Sequence, residues 1–223
     1  MNGKFRHEYK HIISAADLYM ISARLDAAAK PDEHMKGDSY FVRSLYFDSH
    51  SDKALREKLD GVSRREKFRI RYYDFDDGFI RLEKKFKRDG LCLKSSAELS
   101  RKQTDCIIAG DYGFLLDGQN ELLTEFYIKL TAEQLRPKTI VDYRRKAYVF
   151  PYGNVRVTFD YNISSSFDTD GFFDTAAASV PASEDIVMEI KYDEFLPQVI
   201  ADITQMNGRQ KPAFSKYAAA RIL

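Results

Sequence analysis

The sequence predicts an α+β protein: a closed antiparallel β-tunnel of eight strands with helices packed on the outside. Three observations predict it. Segments in which apolar and charged residues alternate recur along nearly the whole chain, the period of a strand with one dry and one wet face. Gly, Pro, Asn and Asp clusters separate several of them at hairpin spacing. About eight such strands are enough to close a small barrel. The 223 residues show no internal repeat and no linker, so the reading is one domain over residues 1–223.

Taken in order, Phe5 to Ile12 reads as a strand. Ser14 then caps a helix that runs to Ala29, with Asp17 three residues on as the return partner of a capping box. Tyr40 to Asp48 is a strand, and Ser51 to Asp60 a short helix stopped by Gly61. Arg65 to Asp74 and Phe79 to Lys87 form a hairpin around Asp76-Asp77-Gly78, followed by a short strand at Leu91 to Ser95. Helical patterns fill much of Ser100 to Leu130. Thr139 to Phe150 and Asn154 to Ile163 are long strands that turn at Pro151-Tyr152-Gly153. Ser164 to Ser183, rich in Ser, Asp, Thr, Gly and Ala, reads as a mobile loop between strands. Ile186 to Tyr192 is the last strand. Phe195 to Met206 is helical, and a terminal helix is entered through Ser215.

Hydrophobic residues make up 44% and charged residues 31%, enough for a core and more charge than the ~25% of a typical domain. The net charge of +1 carries no signature of a nucleic-acid binder, so any electrostatic function lies in how the charges are arranged. Cys92 and Cys106 have no metal-ligand spacing and read as reduced thiols. The polar N-terminus and the lack of any window near ~18 apolar residues lead to the expectation of a cytoplasmic protein without a transmembrane segment.

The charged faces carry the chemistry. Arg6, Glu8 and Lys10 share one face of the first strand; Lys67, Arg69 and Arg71 share another. Arg81, Glu83, Lys85 and Lys87 alternate against Ile80, Leu82 and Phe86. Arg156, Thr158 and Asp160 oppose Val155, Val157 and Phe159, and Glu189 and Lys191 oppose Met188 and Ile190. In Tyr143 to Val149 charges fall on both faces, and Arg145 is assigned to the face of Tyr143 and Ala147. Any one strand of this kind is equally the wetted face of an ordinary sheet. Together they are not. With Lys94 and Lys216 added and Lys67 left out of the count, twelve basic candidates stand against four acids, whereas a solvated sheet interleaves the signs. An inside lined with cations and an apolar outside covered by helices describes a tunnel for a polyanion. Phosphate is the fitting counter-charge, since the planar fork of Arg grips two oxygens at once. Glu8 and Glu189, amid those cations, are candidate ligands of Mg2+ or Mn2+, and equally candidate ion-pair partners.

The motifs Glu8-Tyr9-Lys10, Arg69-Ile70-Arg71, Leu82-Glu83-Lys84-Lys85, Arg145-Lys146-Ala147-Tyr148, Arg156-Val157-Thr158-Phe159-Asp160, Met188-Glu189-Ile190-Lys191 and Ser215-Lys216-Tyr217 stand in this order. Seven in sequence resemble the VTC domains, the catalytic domains of vacuolar transporter chaperone polyphosphate polymerases, in the triphosphate tunnel metalloenzyme (CYTH-like) superfamily. The resemblance implies transfer of the γ-phosphoryl group of ATP to a growing polyphosphate chain, with Mn2+ or Mg2+. It implies that Lys10, Arg69, Arg71, Lys85, Lys94, Arg145, Arg156 and Lys216 grip phosphates and that Glu189 holds the metal. Tyr143 would line the tunnel. Arg6, Lys191 and Ser215 complete the expected substrate-binding set, with Glu8 a second metal ligand. ATP and polyphosphate are the expected partners, nucleic acid is not, a membrane-protein partner stays open, and the oligomeric state is not legible. The membrane segments and regulatory domain of the eukaryotic polymerases are not expected here. Two alternatives remain: a triphosphate hydrolase of the same superfamily, and a non-catalytic polyanion-binding module.

Overall fold

A computed structural model of the chain describes residues 5–206 and 214–222. Its centre is one antiparallel sheet. The strands are β1 (His7–Ile13), β2 (Lys30–Pro31), β3 (Tyr40–Asp48), β4 (Arg65–Tyr73) and β5 (Asp76–Arg88), followed by β6 (Leu91–Leu99), β7 (Arg136–Phe150), β8 (Val155–Ser166), β9 (Val180–Ser183) and β10 (Ile186–Tyr192). Eight of them lie in the order β1-β10-β8-β7-β3-β4-β5-β6, while β2 pairs with β7 and β9 with β8. The helices are α1 (Ala15–Ala28), α2 (Lys53–Leu59), α3 (Arg101–Ala109), α4 (Glu121–Ala132), α5 (Gln198–Thr204) and α6 (Lys216–Ala219).

The alternating pattern folds as the sequence indicates, with one apolar face turned to helices. Phe68, Ile70, Leu82 and Leu45 of β3 to β5 pack with Ile107 of α3 and Phe126 and Leu130 of α4. Phe159, Met188 and Ile190 of β8 and β10 pack with Ile21 and Leu25 of α1 and Ile200 of α5. Ser14 and Ser100 each start their helix with a reciprocal capping box, satisfying donors that the first turn leaves unpaired.

Four expectations need correction. The sheet is an open half-barrel, not a closed tunnel. Between its edge strands the described residues make one bridge, Arg6 with Cys92 (N···O 3.1 and 3.3 Å). Beside it the seam is joined by side chains, with Lys85 Nζ 2.7 Å from both oxygens of Glu8. Strand number is legible from alternation; the stagger and tilt that decide closure are not.

The β4–β5 turn falls at Asp74 and Phe75, both with positive φ (46° and 58°), rather than at Asp76-Asp77-Gly78. Two left-handed residues match the twist of a tight hairpin. Tertiary contacts hold them there: Asp74 accepts the Phe41 N–H (2.7 Å), and the Phe75 ring stacks on Phe41 at 4.4 Å.

The stretch after β8 is not a mobile loop. A short 3-10 turn at Asp170–Phe173 buries Phe172 in the first core, and its carbonyl accepts from Tyr72 Oη (2.9 Å) and from Arg43 (3.3 Å).

Last, α6 lies against the concave face and not outside it. Tyr217 stacks on Tyr46 (5.1 Å) within a third apolar cluster that includes Val42, Val141 and Tyr143.

Candidate functional site

The concave face of the half-barrel encloses a cavity of about 660 Å³. All fourteen residues singled out from the sequence line it: Arg6, Glu8, Lys10, Arg69, Arg71, Lys85, Lys94, Tyr143, Arg145, Arg156, Glu189, Lys191, Ser215 and Lys216. They come from β1 and the residue before it, from β4, β5, β6, β7, β8 and β10, and from the start of α6, which is why no local window of sequence contains the site. Arg81, one of the twelve basic candidates, does not join them. It lies near the hairpin tip, pairs with Glu98 (2.9 Å) and stacks on Phe79. Asp160 is fully buried beneath the wall.

Residues outside the expected set also line the cavity. Lys67 sits on the same face as Arg69 and Arg71, so strand alternation already pointed to it. Lys58 arrives at the end of α2, where no strand period reveals it, and Arg65 and Lys87 face each other across β4 and β5. In all, fourteen Lys and Arg side chains meet three Glu around one space.

The carboxylates organise the cations. Glu83, almost fully buried, takes Arg69 at 2.7 Å, Lys94 at 2.6 Å and Arg71 at 3.6 Å. Burial alone would raise its pKa; Arg71, Arg69 and Lys94 hold it well below the usual carboxylate range. Asp160 takes Arg145 through two bonds (2.6 and 2.8 Å) and Lys216 at 2.5 Å. Its carboxyl is likewise held down against burial, by Arg145 first and Lys216 next. For these two acids the ion-pair role is what the geometry shows. Glu189 pairs with Lys191 at 2.8 Å and Lys10 at 3.9 Å; Glu8 pairs with Lys85 at 2.7 Å. In the β1–β10 register Glu8 faces Lys191 and Lys10 faces Glu189, so the two carboxylates are diagonal neighbours on one face. Among the described residues no group of three His, Cys, Asp or Glu could hold a metal ion. A pair of hard oxygen donors fits Mg2+ or Mn2+ only when phosphate oxygens and water complete the shell.

Two further features face the cavity. The Tyr143 hydroxyl is buried and has no hydrogen-bond partner among the described residues, an arrangement that costs free energy unless a ligand accepts from it. Ser215 accepts the Lys67 ammonium (3.3 Å) and the Ala218 N–H, so it caps α6 while facing the site.

The lysines have a pH signature. Burial, then the charges of Lys58 and Arg65, push Lys67 down to about 7. Burial also pushes Lys216 down to about 8, with Asp160 opposing and Lys10 and Arg145 adding repulsion. Both values lie below that of an unfolded lysine, so the fold binds fewer protons than the unfolded chain above pH ~7, and these groups make stability rise with pH from there to about pH 10. A bound polyanion favours the ammonium and reverses this. Tripolyphosphate binding at pH 7.5 is therefore expected to take up protons and to weaken as pH rises toward 9. Calorimetry in two buffers of different ionisation enthalpy measures the uptake; a binding enthalpy independent of buffer would refute it.

The fold and the site together define an α+β protein with a curled antiparallel half-barrel whose concave face is cationic. The chain belongs to the VTC domain family, whose sequence model matches residues 5–223. Among curated proteins none matches. Among solved structures, a proposed adenylate cyclase from Bacillus halodurans is similar at 14% identity, TM-score 0.54, with 95% of this chain and 97% of that chain covered. The PH1012 protein of Pyrococcus horikoshii is similar at 13% identity, TM-score 0.53, with 96% and 99% covered. At such identities the likeness is one of fold. No helix among the described residues is long and apolar enough to cross a membrane.

Proposed function

We propose that the cavity binds the triphosphate of ATP and a polyphosphate chain, and that the protein is a polyphosphate polymerase. The observation that carries this reading is the convergence of fourteen Lys and Arg side chains on one cavity with only three Glu among them. Such a wall is costly in self-repulsion unless a polyanion fills it. In the reaction, a terminal oxygen of the chain attacks the γ-phosphorus of ATP, the bond to the β-phosphate oxygen breaks, and ADP leaves. Phosphoryl transfer of this kind needs in-line positioning and cations on the transferring group rather than a covalent nucleophile. Arg69, Arg71, Arg145 and Arg156 are all held by carboxylates, so they present fixed guanidinium groups. Lys10, Lys85, Lys94, Lys191, Lys216 and Arg6 add charge around them, and the Tyr143 hydroxyl would donate to a phosphate oxygen. Glu8 and Glu189 would hold Mg2+ or Mn2+ together with phosphate oxygens. The ion would neutralise charge on the phosphates.

The test is incubation of the protein with ATP and Mn2+ followed by a polyphosphate gel. Chains that lengthen with time support the polymerase. Orthophosphate release without chains would instead make the protein a triphosphate hydrolase. Salt-sensitive binding without turnover under any divalent metal would make it a polyanion-binding module.

A further inference from the structure

Arg156 is exposed to the cavity over about a third of its side chain, yet one end of its guanidinium is already taken. NH1 lies 2.7 Å from Oδ2 of Asp32, and NH2 donates to Tyr40 Oη at 3.1 Å. Asp32 does not line the cavity. It stands behind the wall, just after β2, and is 5% exposed. Its own position is fixed by three backbone bonds. Its N–H donates to Ala147 O on β7 (2.9 Å), its carbonyl accepts from Met35 (2.9 Å), and Oδ1 accepts the His34 N–H (3.1 Å). The Nδ1 of His34 lies 3.1 Å from the same Oδ1. The carboxylate is thus anchored to the sheet on one side and grips the arginine on the other.

We propose that Asp32 is a positioning residue, holding the Arg156 guanidinium in the orientation in which it meets a phosphate. This rests on the phosphate-binding part of the proposed function. A free Arg side chain loses rotamer freedom when a ligand immobilises it; one already fixed by Asp32 and Tyr40 has lost it on folding. The sign of the effect separates positioning from charge. Asp32 is an anion beside a cationic cavity, so removing its charge would by itself tighten anion binding. Loss of positioning weakens it.

The experiment is a double-mutant cycle read by calorimetric binding of inorganic tripolyphosphate, with thermal melting of each variant as the folding control. Asp32→Asn is expected to weaken binding about tenfold in the wild-type background. In an Arg156→Ala background it is expected to leave binding unchanged or slightly tighter, because the positioning acts only through that side chain and the lost negative charge alone remains. Tyr40→Phe, which removes the other fixed bond while keeping the ring, is expected to weaken binding by a smaller factor with the same dependence on Arg156, and serves if Asp32→Asn does not fold. Tighter binding by Asp32→Asn, an equal loss in both backgrounds, or no tripolyphosphate binding by the wild type would each overturn the proposal. The readout needs no turnover. A wild type that makes no polyphosphate but shows the coupling loses the polymerase and keeps Asp32; one that makes polyphosphate without the coupling does the reverse.

Discussion

Arg145→Ala is expected to cost about 3–5 kcal/mol of stability and to abolish tripolyphosphate binding. Asp160 has no exposed surface, and Arg145 satisfies both of its oxygens. Truncating the arginine leaves a buried carboxylate with Lys216 alone, itself 8% exposed and crowded by Lys10. A loss of that size is a large share of the ~5–15 kcal/mol that separates a native domain from its unfolded chain. Urea unfolding at pH 7 measures it through the midpoint, with the slope unchanged.

The pH dependence has a definite sign. In the wild type the Asp160 carboxyl titrates below its unfolded value, so the stability it contributes is present above about pH 4 and is lost as pH falls through the folded value. Without Arg145 that depression shrinks, and acid unfolding should begin at higher pH. A triple variant, Arg145→Met, Asp160→Leu and Lys216→Met, replaces the ionic cluster with apolar groups. It should recover the midpoint without recovering binding. An Arg145→Ala midpoint equal to the wild type would show that the pair does not hold the wall.

Glu189→Gln is expected to lower metal-dependent turnover of ATP by about 100- to 1000-fold while leaving metal-free tripolyphosphate affinity equal or higher. The carboxylate is 4% exposed and is held ionised, against burial, by Lys191, Lys10 and Lys85. The amide keeps its shape but gives a hard cation a neutral donor, and it removes one negative charge from a wall that attracts phosphate. Turnover titrated with Mn2+ and binding measured in chelator separate the two effects. If Glu189 served only as the ion-pair partner of Lys191, turnover and metal-free binding would change together and the metal dependence would stay put.

Strand alternation made much of the cavity wall legible. Arg69 and Arg71 could be assigned to one face because Phe68, Ile70 and Tyr72 between them are apolar, and the structure buries those three against helices or the 3-10 turn. The same period had already placed Lys67 beside them. Lys58 and Asp32 escaped it. One sits at the end of a helix and the other in a turn after a two-residue strand, so neither has a strand period to betray its direction. Arg81 shows the opposite failure: it pairs with Arg71 and shares its face, but it is the last pair before a register shift near the hairpin end, and its side chain swings to Glu98.

Hydrophobic period and capping chemistry are local, and they alone determined that this chain makes an antiparallel sheet with one cationic face, flanked by helices of which the first is capped at Ser14. Only the tertiary structure decided that the sheet stays open at the Arg6–Cys92 seam, that α6 turns inward, and which carboxylate holds which cation. The reason is that closure depends on strand stagger and ion pairing on side-chain reach, and both link residues such as Glu8 and Lys85, or Asp32 and Arg156, whose separation along the chain leaves no mark in any window of sequence.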